Sequence, residues 1–186
     1  MRRCSPVFLF TGLLLLPLPS QSAEEFKLES GFTLLFNGKN LDGWKEFSGK
    51  DKAPLEGKTE AFKGRFKVMD GSLVYDPAVK GDLHIETTKE FGKDVHFKFD
   101  FKPGAKCNND LFIRGTKFDI IPGNKENMKV KEGEWSTLEI VITGDKIEHK
   151  INGEVVRTAK AMPKATPFRL RAEFGAIEIK NIRVKE

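Results

Sequence analysis

Residues 108–121, NNDLFIRGTKFDII, contain side chains that can bind or polarise a substrate, arranged as a predicted β-hairpin. Apolar and polar residues alternate within this stretch, which is typical of half-buried strands. Gly115–Thr116 is predicted to form the turn, because Gly accepts the positive φ that two-residue turns require. Arg114 then pairs with Lys117, so a cation and the carboxylate of Asp119 lie beside an aromatic ring, unless the strand simply carries a solvated ion pair. The residues predicted to share this face are Arg114, Phe112, Lys117, Asp119 and Ile121.

Three other predicted strands carry residues that can transfer protons or bind an anion. They lie within residues 82–87, 95–102 and 168–174, where charged and apolar residues alternate. If these strands neighbour the hairpin, one sheet presents a face rich in His, Lys, Arg, Asp and Glu. A convex, solvent-exposed face would show the same pattern. The alternating polar residues are His84 and Glu86, then His96, Lys98, Asp100 and Lys102, and finally Arg171 and Glu173.

The composition and the spacing of turn residues predict an all-β fold. The chain has 16 Phe against one Tyr, with nine Pro and no long stretch of 3.6-residue period. Asp70–Gly71 and Asn152–Gly153 are two-residue connections of the kind that joins hairpin strands. This pattern predicts a sandwich or jelly roll of two antiparallel sheets, with the polar segment 45–63 as a surface excursion. The predicted strands are Phe66–Met69, Ser72–Tyr75, Asp82–Thr87, Val95–Lys102, Leu111–Arg114, Lys117–Ile121, Thr137–Thr143, Lys146–Ile151, Glu154–Thr158, Phe168–Phe174 and Ala176–Lys185.

The beginning of the chain is typical of a secretory signal peptide. Arg2 and Arg3 precede an apolar run over residues 7–18, which small residues follow. The run is too short for a comfortable membrane span. We therefore expect residues 1–23 to be removed and the protein to be exported, as a periplasmic or secreted protein. Residues 24–186 are predicted to form one domain.

Charge and cysteine content narrow the possible partners. The net charge of +5 falls to +5 − 2 = +3 without Arg2 and Arg3 of the predicted signal peptide. This mild basicity comes from interspersed Lys and Glu and not from a basic arm, so nucleic acid is not an expected partner. Of the two cysteines, only Cys107 lies after the predicted cleavage site, so no internal disulfide is expected.

Several stretches resemble one known family. Residues 31–44, GFTLLFNGKNLDGW, resemble the opening of the 3-keto-disaccharide hydrolase family, also described as a 3-keto-α-glucoside 1,2-lyase and 3-keto-2-hydroxy-glucal hydratase domain. Residues 87–103, 108–114, 133–156 and 177–186 resemble later blocks of the family in the same order. The resemblance implies a concanavalin A-like lectin/glucanase β-sandwich whose concave sheet carries a sugar site, and hence a carbohydrate as the partner.

The sequence also departs from the pattern of the family at the implied site. Arg114 matches the Arg of the family motif, whereas Asp119 stands for its Glu. Ile121 and Arg171 each replace a Gln, which removes two amides that could hydrogen-bond a sugar. Either the substrate range has changed or the chemistry has been lost. Other positions of interest are Asp100 and Lys102 at a Glu and an Arg of the family, Glu173 at an acidic or His position, and Asn109 and Asp110 at Ser and Gly.

The implied reaction assigns roles to these residues. A ketone at sugar C3 acidifies the C2 proton, so the reaction needs a base, a positive charge near the enolate oxygen and an acid for the leaving oxygen. Arg114, or Lys102 as second choice, suits the enolate. The predicted catalytic residues are Arg114, Asp119, Glu173, Asp100 and His96. The predicted sugar-binding residues are Lys102, Asn108, Phe112, Arg171 and His84, with His84 also competing for the role of base.

Three functions remain open from the sequence. The first is an exported enzyme that cleaves 3-keto-glucosides by base-assisted elimination and water addition. The second is a carbohydrate-binding β-sandwich without catalysis, and a weaker third is a module that binds another protein at the cell envelope. A divalent metal could serve the enzyme as a Lewis acid, although no ligand spacing is visible. For the enzyme we expect Arg114, Asp119, Asp100 and Glu173 to converge on one concave sheet face with His96 or His84.

Overall fold

The structure, a computed structural model, describes residues 26–47 and 52–186. The predicted signal peptide, residues 1–23, lies outside these ranges. The described residues contain no helix, and so none that is long and apolar enough to cross a membrane. The strands are β1 (Thr33–Leu34), β2 (Trp44–Phe47), β3 (Glu60–Ala61), β4 (Phe66–Met69), β5 (Ser72–Tyr75), β6 (Leu83–Phe91), β7 (Val95–Pro103), β8 (Asn108–Ile113), β9 (Thr116–Ile120), β10 (Ser136–Thr143), β11 (Lys146–Ile151), β12 (Glu154–Lys160), β13 (Thr166–Phe174) and β14 (Ile177–Lys185).

The strands form two antiparallel sheets. The larger sheet has nine strands in the order β12-β11-β10-β7-β14-β5-β4-β3, with β1 also paired to β14. The smaller sheet has five strands in the order β2-β6-β13-β8-β9. All the pairings are antiparallel, which confirms the predicted all-β fold with two antiparallel sheets.

Alternation along the strands places one aromatic-rich core between the sheets. In β7 the side chains of Val95, Phe97, Phe99 and Phe101 are buried, as the sequence predicts. Phe168 of β13 stacks on Phe97 across the sandwich, with 4.9 Å between ring centroids. Each such fully buried side chain stabilises the fold by about 2–3 kcal/mol. Because the core takes one set of alternate residues, the polar residues of both sheets must face outward.

All eleven predicted strands are present, and the segment 45–63 shows where the prediction was incomplete. That segment includes most of β2, all of β3 and the fully buried Leu55, so it is not only a surface excursion. Its polar composition concealed β2, an edge strand with outward-facing Lys45. Trp44 anchors β2, because its buried indole Nε1 donates a hydrogen bond to the carbonyl of Leu35 at 2.7 Å.

The turn of the β8–β9 hairpin lies one residue earlier than predicted. Arg114 and Gly115 form it, with φ values of 48° and 78°. A two-residue turn of this type needs positive φ at both positions, which the β-branched Thr116 disfavours. Phe112 therefore pairs with Lys117, and Asp119 pairs with Asp110. This shift keeps Phe112, Lys117 and Asp119 on one face but removes Arg114 from it.

The core also contains a histidine that the fold accepts in its neutral form. His149 of β11 stacks on Phe118 of β9, with 4.6 Å between ring centroids and 13° between ring planes. Both ring nitrogens are buried, and neither has a hydrogen-bond partner in residues 26–47 and 52–186. Burial, with a smaller contribution from Arg157, lowers the pKa of His149 to about 4.

We expect His149 to make the fold sensitive to acid. The unfolded chain takes up a proton on this histidine near pH 6.5, whereas the folded chain does so only near pH 4. The contribution of the neutral His149 to stability is therefore complete above pH 6.5 and is lost as the pH falls towards 4. Between about pH 8 and pH 5 the free energy of unfolding should fall by about 2 kcal/mol through this residue. The variant His149→Leu should lose that part of the pH dependence in urea unfolding. Parallel pH curves for the variant and the wild type would contradict the assignment.

Candidate functional site

Two rows of side chains run across the outer face of the five-stranded sheet. Each row takes one residue from β2, β6, β13, β8 and β9 in turn, paired directly across the strands. The rows lie two residues apart along the strands, or about 7 Å. We name them the acid row and the cation row. The acid row consists of Phe47, His84, Arg171, Asp110 and Asp119, and the cation row of Lys45, Glu86, Arg169, Phe112 and Lys117.

Arg171 joins three carboxylates at the centre of the acid row. Its Nε and Nη2 donate to the two oxygens of Asp82 at 2.7 and 2.8 Å, and Nη1 donates to Asp110 Oδ2 at 2.5 Å. Nη2 also lies 3.0 Å from Glu173 Oε1. The hydrogen bond from Arg171 holds the pKa of Asp82 below its usual value. A guanidinium has five N–H groups. One N–H of Nη1 therefore has no acceptor among the described residues and can meet a ligand.

Asp110 and Asp119 form a coupled pair of carboxyl groups. The side chain of Asp110 is 0% exposed, and burial together with its hydrogen bond to Asp119 raises its pKa to about 6. Asp119 is 31% exposed; although burial opposes its ionisation, Asp110 and Lys117 hold its pKa below the usual value. Lys117 Nζ lies 2.5 Å from Asp119 Oδ1. The pair therefore holds one shared proton near pH 6, mainly on Asp110.

His84 lies beside Arg171 and is oriented by Asp82. Its Nε2 is 3.2 Å from Asp82 Oδ1, and its ring lies between Phe47 and Phe112, with 5.8 and 5.9 Å between ring centroids. Burial lowers the pKa of His84 and so favours the neutral imidazole. Because an ionised carboxylate only accepts hydrogen bonds, Nε2 carries the proton and Nδ1 the free lone pair. Nδ1 is buried and has no hydrogen-bond partner in the described part of the chain, so a substrate reaches it only if a covering side chain moves.

The five-stranded sheet brings together six of the predicted site residues. His84, Phe112, Arg171 and Asp119 belong to the two rows, and Glu173 contacts Arg171. Asn108 lies on the same face, two residues before Asp110 in β8. These six residues therefore lie on one sheet face, and their individual roles stay predictions.

The prediction that Asp100, His96 and Lys102 join this site is wrong. All three lie on β7, which belongs to the nine-stranded sheet, so they face solvent on the opposite side of the sandwich. There they pair with neighbours. His96 contacts Glu139 at 2.8 Å and Lys102 contacts Glu178 at 2.7 Å, while Asp100 accepts hydrogen bonds from Thr137 and Asn181 at 2.8 and 2.6 Å. Both sheets show the same alternation of apolar and polar residues, so the pattern did not reveal which sheet β7 joins.

Arg114 is also not on the outer face of the five-stranded sheet. Its side chain is buried, and Nε donates to the carbonyl of Met162 while Nη1 reaches that of Lys93 at 3.5 Å. Its backbone N–H donates to Thr166 Oγ1 at 2.8 Å. Arg114 therefore connects the hairpin turn to two neighbouring loops, and the predicted contact with an enolate is wrong in position.

Three residues of the site, Asp82, Asp110 and Lys117, were not among the predicted catalytic or sugar-binding residues, although Lys117 was expected on the hairpin face. The signal for Asp110 was available, because a turn at Arg114–Gly115 places it directly opposite Asp119. Asp82 precedes β6 by one residue, and no local pattern marks it as a partner of Arg171.

The donor groups were also compared with the needs of a divalent metal. In residues 26–47 and 52–186, no group of three or more His, Cys, Asp or Glu side chains is arranged to hold a metal ion. Asp82 and His84 are adjacent, but the third neighbour is the cation Arg171. The described residues therefore do not fit a metal site.

Comparisons with known proteins agree with this fold. The structure is similar to a Parabacteroides distasonis protein described as a candidate glycosyl hydrolase, with 20% identity, 83% of this chain and 93% of that chain covered, and a TM-score of 0.63. It is also similar to a Bacillus licheniformis β-glucanase, with 12% identity, 89% of this chain and 100% of that chain covered, and a TM-score of 0.55. A carbohydrate-binding module from Bacillus subtilis is similar as well, with 13% identity, 77% of this chain and 96% of that chain covered, and a TM-score of 0.53. These similarities confirm the β-sandwich of lectin/glucanase type.

The sequence comparisons identify the family. No curated protein sequence matches the chain. A family model described as the 3-keto-alpha-glucoside-1,2-lyase-like domain matches residues 31–123 and 117–185, which together include nearly all of the described chain. The chain therefore belongs to the family of 3-keto-α-glucoside-1,2-lyase-like, carbohydrate-active domains.

Proposed function

We propose that this protein cleaves 3-keto-glucosides on the outer face of its five-stranded sheet, by elimination followed by water addition. The observation that carries the proposal is the composition of the acid row. A neutral histidine and a carboxyl pair with a shared proton lie on either side of one arginine. The reaction needs a base, a cation and an acid, and this row holds them side by side. We also propose that residues 1–23 direct export, so that the activity lies outside the cytoplasm.

In the elimination step, the sugar displaces the side chains that cover His84 Nδ1, and this nitrogen removes the proton from C2. Negative charge develops on the C3 oxygen and is stabilised by the open N–H of Arg171. The shared proton passes from Asp119, the exposed member of the pair, to the glycosidic oxygen as the C1–O bond breaks, and Asp110 supplies that proton to Asp119. The products are an enone and the free alcohol.

In the second step, water adds to the enone. The hydroxyl group bonds to C1 while the second proton of the water returns to the carboxyl pair. The proton held by His84 returns to C2, which restores every group of the site. The net reaction is hydrolysis of the glycoside.

One observation favours carbohydrate binding without catalysis as a second candidate. Protein carboxylates occupy most of the donors of Arg171, so its charge is largely neutralised before a ligand arrives. A sugar could then rest against Phe47 and Phe112 without reacting, since aromatic rings suit the C–H face of a pyranose.

Turnover of a 3-keto-glucoside separates the two candidates. We expect the protein to release methanol and 3-ketoglucose from methyl 3-keto-glucoside and to leave methyl glucoside intact, because only the ketone acidifies C2. The variant His84→Gln, which keeps a hydrogen-bonding side chain but removes the base, should lower kcat by about a hundredfold or more.

The control is the binding of methyl glucoside, measured by calorimetry in the same variant. Retained binding with lost turnover assigns His84 to the chemistry. A wild type that binds glucosides but turns over no 3-keto substrate would establish the binding module instead.

A further inference from the structure

Three cations surround one carboxylate at the β2 end of the cation row. Arg169 Nη2 lies 2.9 Å from Glu86, Lys52 Nζ 3.1 Å and Lys45 Nζ 3.5 Å. We name these four side chains the Glu86 cluster. It carries two more positive charges than negative ones.

The surplus charge of the Glu86 cluster faces solvent. The Glu86 side chain is 0% exposed, whereas those of Lys45, Lys52 and Arg169 are 21, 43 and 26% exposed. A ligand above this surface therefore meets the cations and not the carboxylate. Arg169 is also held in place, with its Cζ 3.5 Å from the centre of the Phe47 ring.

Neutralising Glu86 does not require all three cations. Arg169 alone makes two hydrogen bonds to Glu86 Oε2, from Nε at 3.0 Å and from Nη2 at 2.9 Å. Lys52 Nζ donates to the other oxygen, Oε1, at 3.1 Å, so one guanidinium and one hydrogen bond from Lys52 already compensate the buried carboxylate. Nη1 of Arg169 makes no hydrogen bond to the described residues. It remains available to a ligand, together with the ammonium groups of Lys45 and Lys52.

The Glu86 cluster is also within reach of a sugar bound at the acid row. Glu86 and Arg169 each lie two residues from His84 and Arg171 along their strands, or about 7 Å away. That separation is close to the width of a pyranose with one ring substituent. A sugar whose C2 and C3 meet His84 and Arg171 can therefore place a substituent over the cluster.

We propose that the Glu86 cluster binds an anionic substituent, a carboxylate or a sulfate group, on the sugar that reacts at His84. This inference rests on the proposed function and specifies its substrate class as acidic 3-keto-glycosides. The opposite charges of the two ends of the site fix the orientation. The anion of the sugar lies at the three cations of the cluster, away from the carboxylates of Asp82, Asp110 and Asp119.

Calorimetric measurement of binding affinity for three sugars tests this assignment. None of the three carries a ketone at C3, so none can react. The probes are methyl glucoside, methyl glucuronide and glucose 6-sulfate. At low salt, the wild type should bind at least one anionic sugar about tenfold or more tightly than methyl glucoside, and added salt should reduce this preference. The tighter of the two anionic sugars identifies the substituent.

The double variant Lys45→Gln/Lys52→Gln should reduce the ratio of the anionic to the neutral affinity by about tenfold. The single variant Lys52→Gln provides the same readout with a smaller change, should the double variant not fold. Lys129→Gln, which removes an exposed lysine paired with Glu154, is the matched control and should leave the ratio unchanged.

Equal affinities of the wild type for neutral and anionic sugars would overturn the proposal. An unchanged ratio of anionic to neutral affinity in the double variant would also overturn it, because the two lysines would then only neutralise Glu86. Because the probes carry no ketone, the outcome is separate from turnover. An anionic preference without any 3-keto turnover would contradict the proposed function alone.

Discussion

Replacement of Asp119 by Asn should lower the turnover of methyl 3-keto-glucoside by about a hundredfold or more, the usual effect of losing a general acid. Asp119 is the exposed member of the carboxyl pair and delivers the proton to the leaving oxygen, whereas an amide cannot. Asn keeps the size of the side chain, so the hairpin should retain its stability. Steady-state kinetics and thermal unfolding of the variant measure the two effects.

The leaving group provides a sharper form of this prediction. A p-nitrophenolate departs without protonation, so p-nitrophenyl 3-keto-glucoside should lose less than about tenfold in the same variant. Asp100→Asn is a matched control, because Asp100 has the same chemistry on the outer face of the other sheet. Equal losses for both leaving groups would show that Asp119 does not act as the acid.

The pH profile should show the coupling between the two carboxyl groups. Activity needs a neutral His84 and a proton on the pair, so it should fall below the lowered pKa of His84 and again above pH 6, where Asp110 loses its proton. In Asp110→Asn, Lys117 remains beside Asp119 and the opposing carboxyl is gone. The group with the raised pKa of about 6 is then lost and the proton must be held by Asp119, whose pKa is lower, so the alkaline limb should move to lower pH. An unchanged alkaline limb would exclude Asp110 as the positioning residue of this acid.

The fold was predictable because the chain repeats one signal many times. Alternation of apolar and charged residues in β7, together with turns such as Asp70–Gly71 and Asn152–Gly153, defines strands and hairpins locally. These signals depend on burial and on backbone φ, which neighbouring residues set. The edge strand β2 escaped prediction because it is short and lies within a polar segment.

The site was only partly predictable, because it depends on which strands become neighbours. Alternation places His84 and His96 on outer faces equally well, yet β6 and β7 belong to different sheets. A turn one residue earlier moved Arg114 away from the site and brought Asp110 opposite Asp119. Residue types suggested a base, a cation and an acid, whereas the pairing of strands determined which residues meet.

Replacement of Arg114 by Ala should destabilise the fold rather than abolish the chemistry. The side chain is 3% exposed and donates hydrogen bonds to the carbonyls of Met162 and Lys93, which hold two loops against the hairpin turn. Hydrogen bonds from a charged donor contribute about 1.5–3 kcal/mol each, so the free energy of unfolding should fall by about 3 kcal/mol. For a chain of this size that corresponds to a decrease in Tm of about 6–12 °C.

Urea unfolding and kinetics of the same preparation of Arg114→Ala measure the two properties. Arg114 and Ala meet the same backbone cost at the left-handed φ of 48°, so the stability difference reports the lost side-chain contacts. Arg157→Ala is the matched control, since Arg157 also donates to a backbone carbonyl, that of Lys117, but from an exposed position. It should cost less than about 1 kcal/mol. Turnover per folded molecule should stay within about threefold of the wild type in Arg114→Ala, because Asp110 and Asp119, the nearest residues of the acid row, each lie four residues from this turn, or about 13 Å. Full stability combined with lost turnover would instead require Arg114 to leave its buried position and reach the sugar.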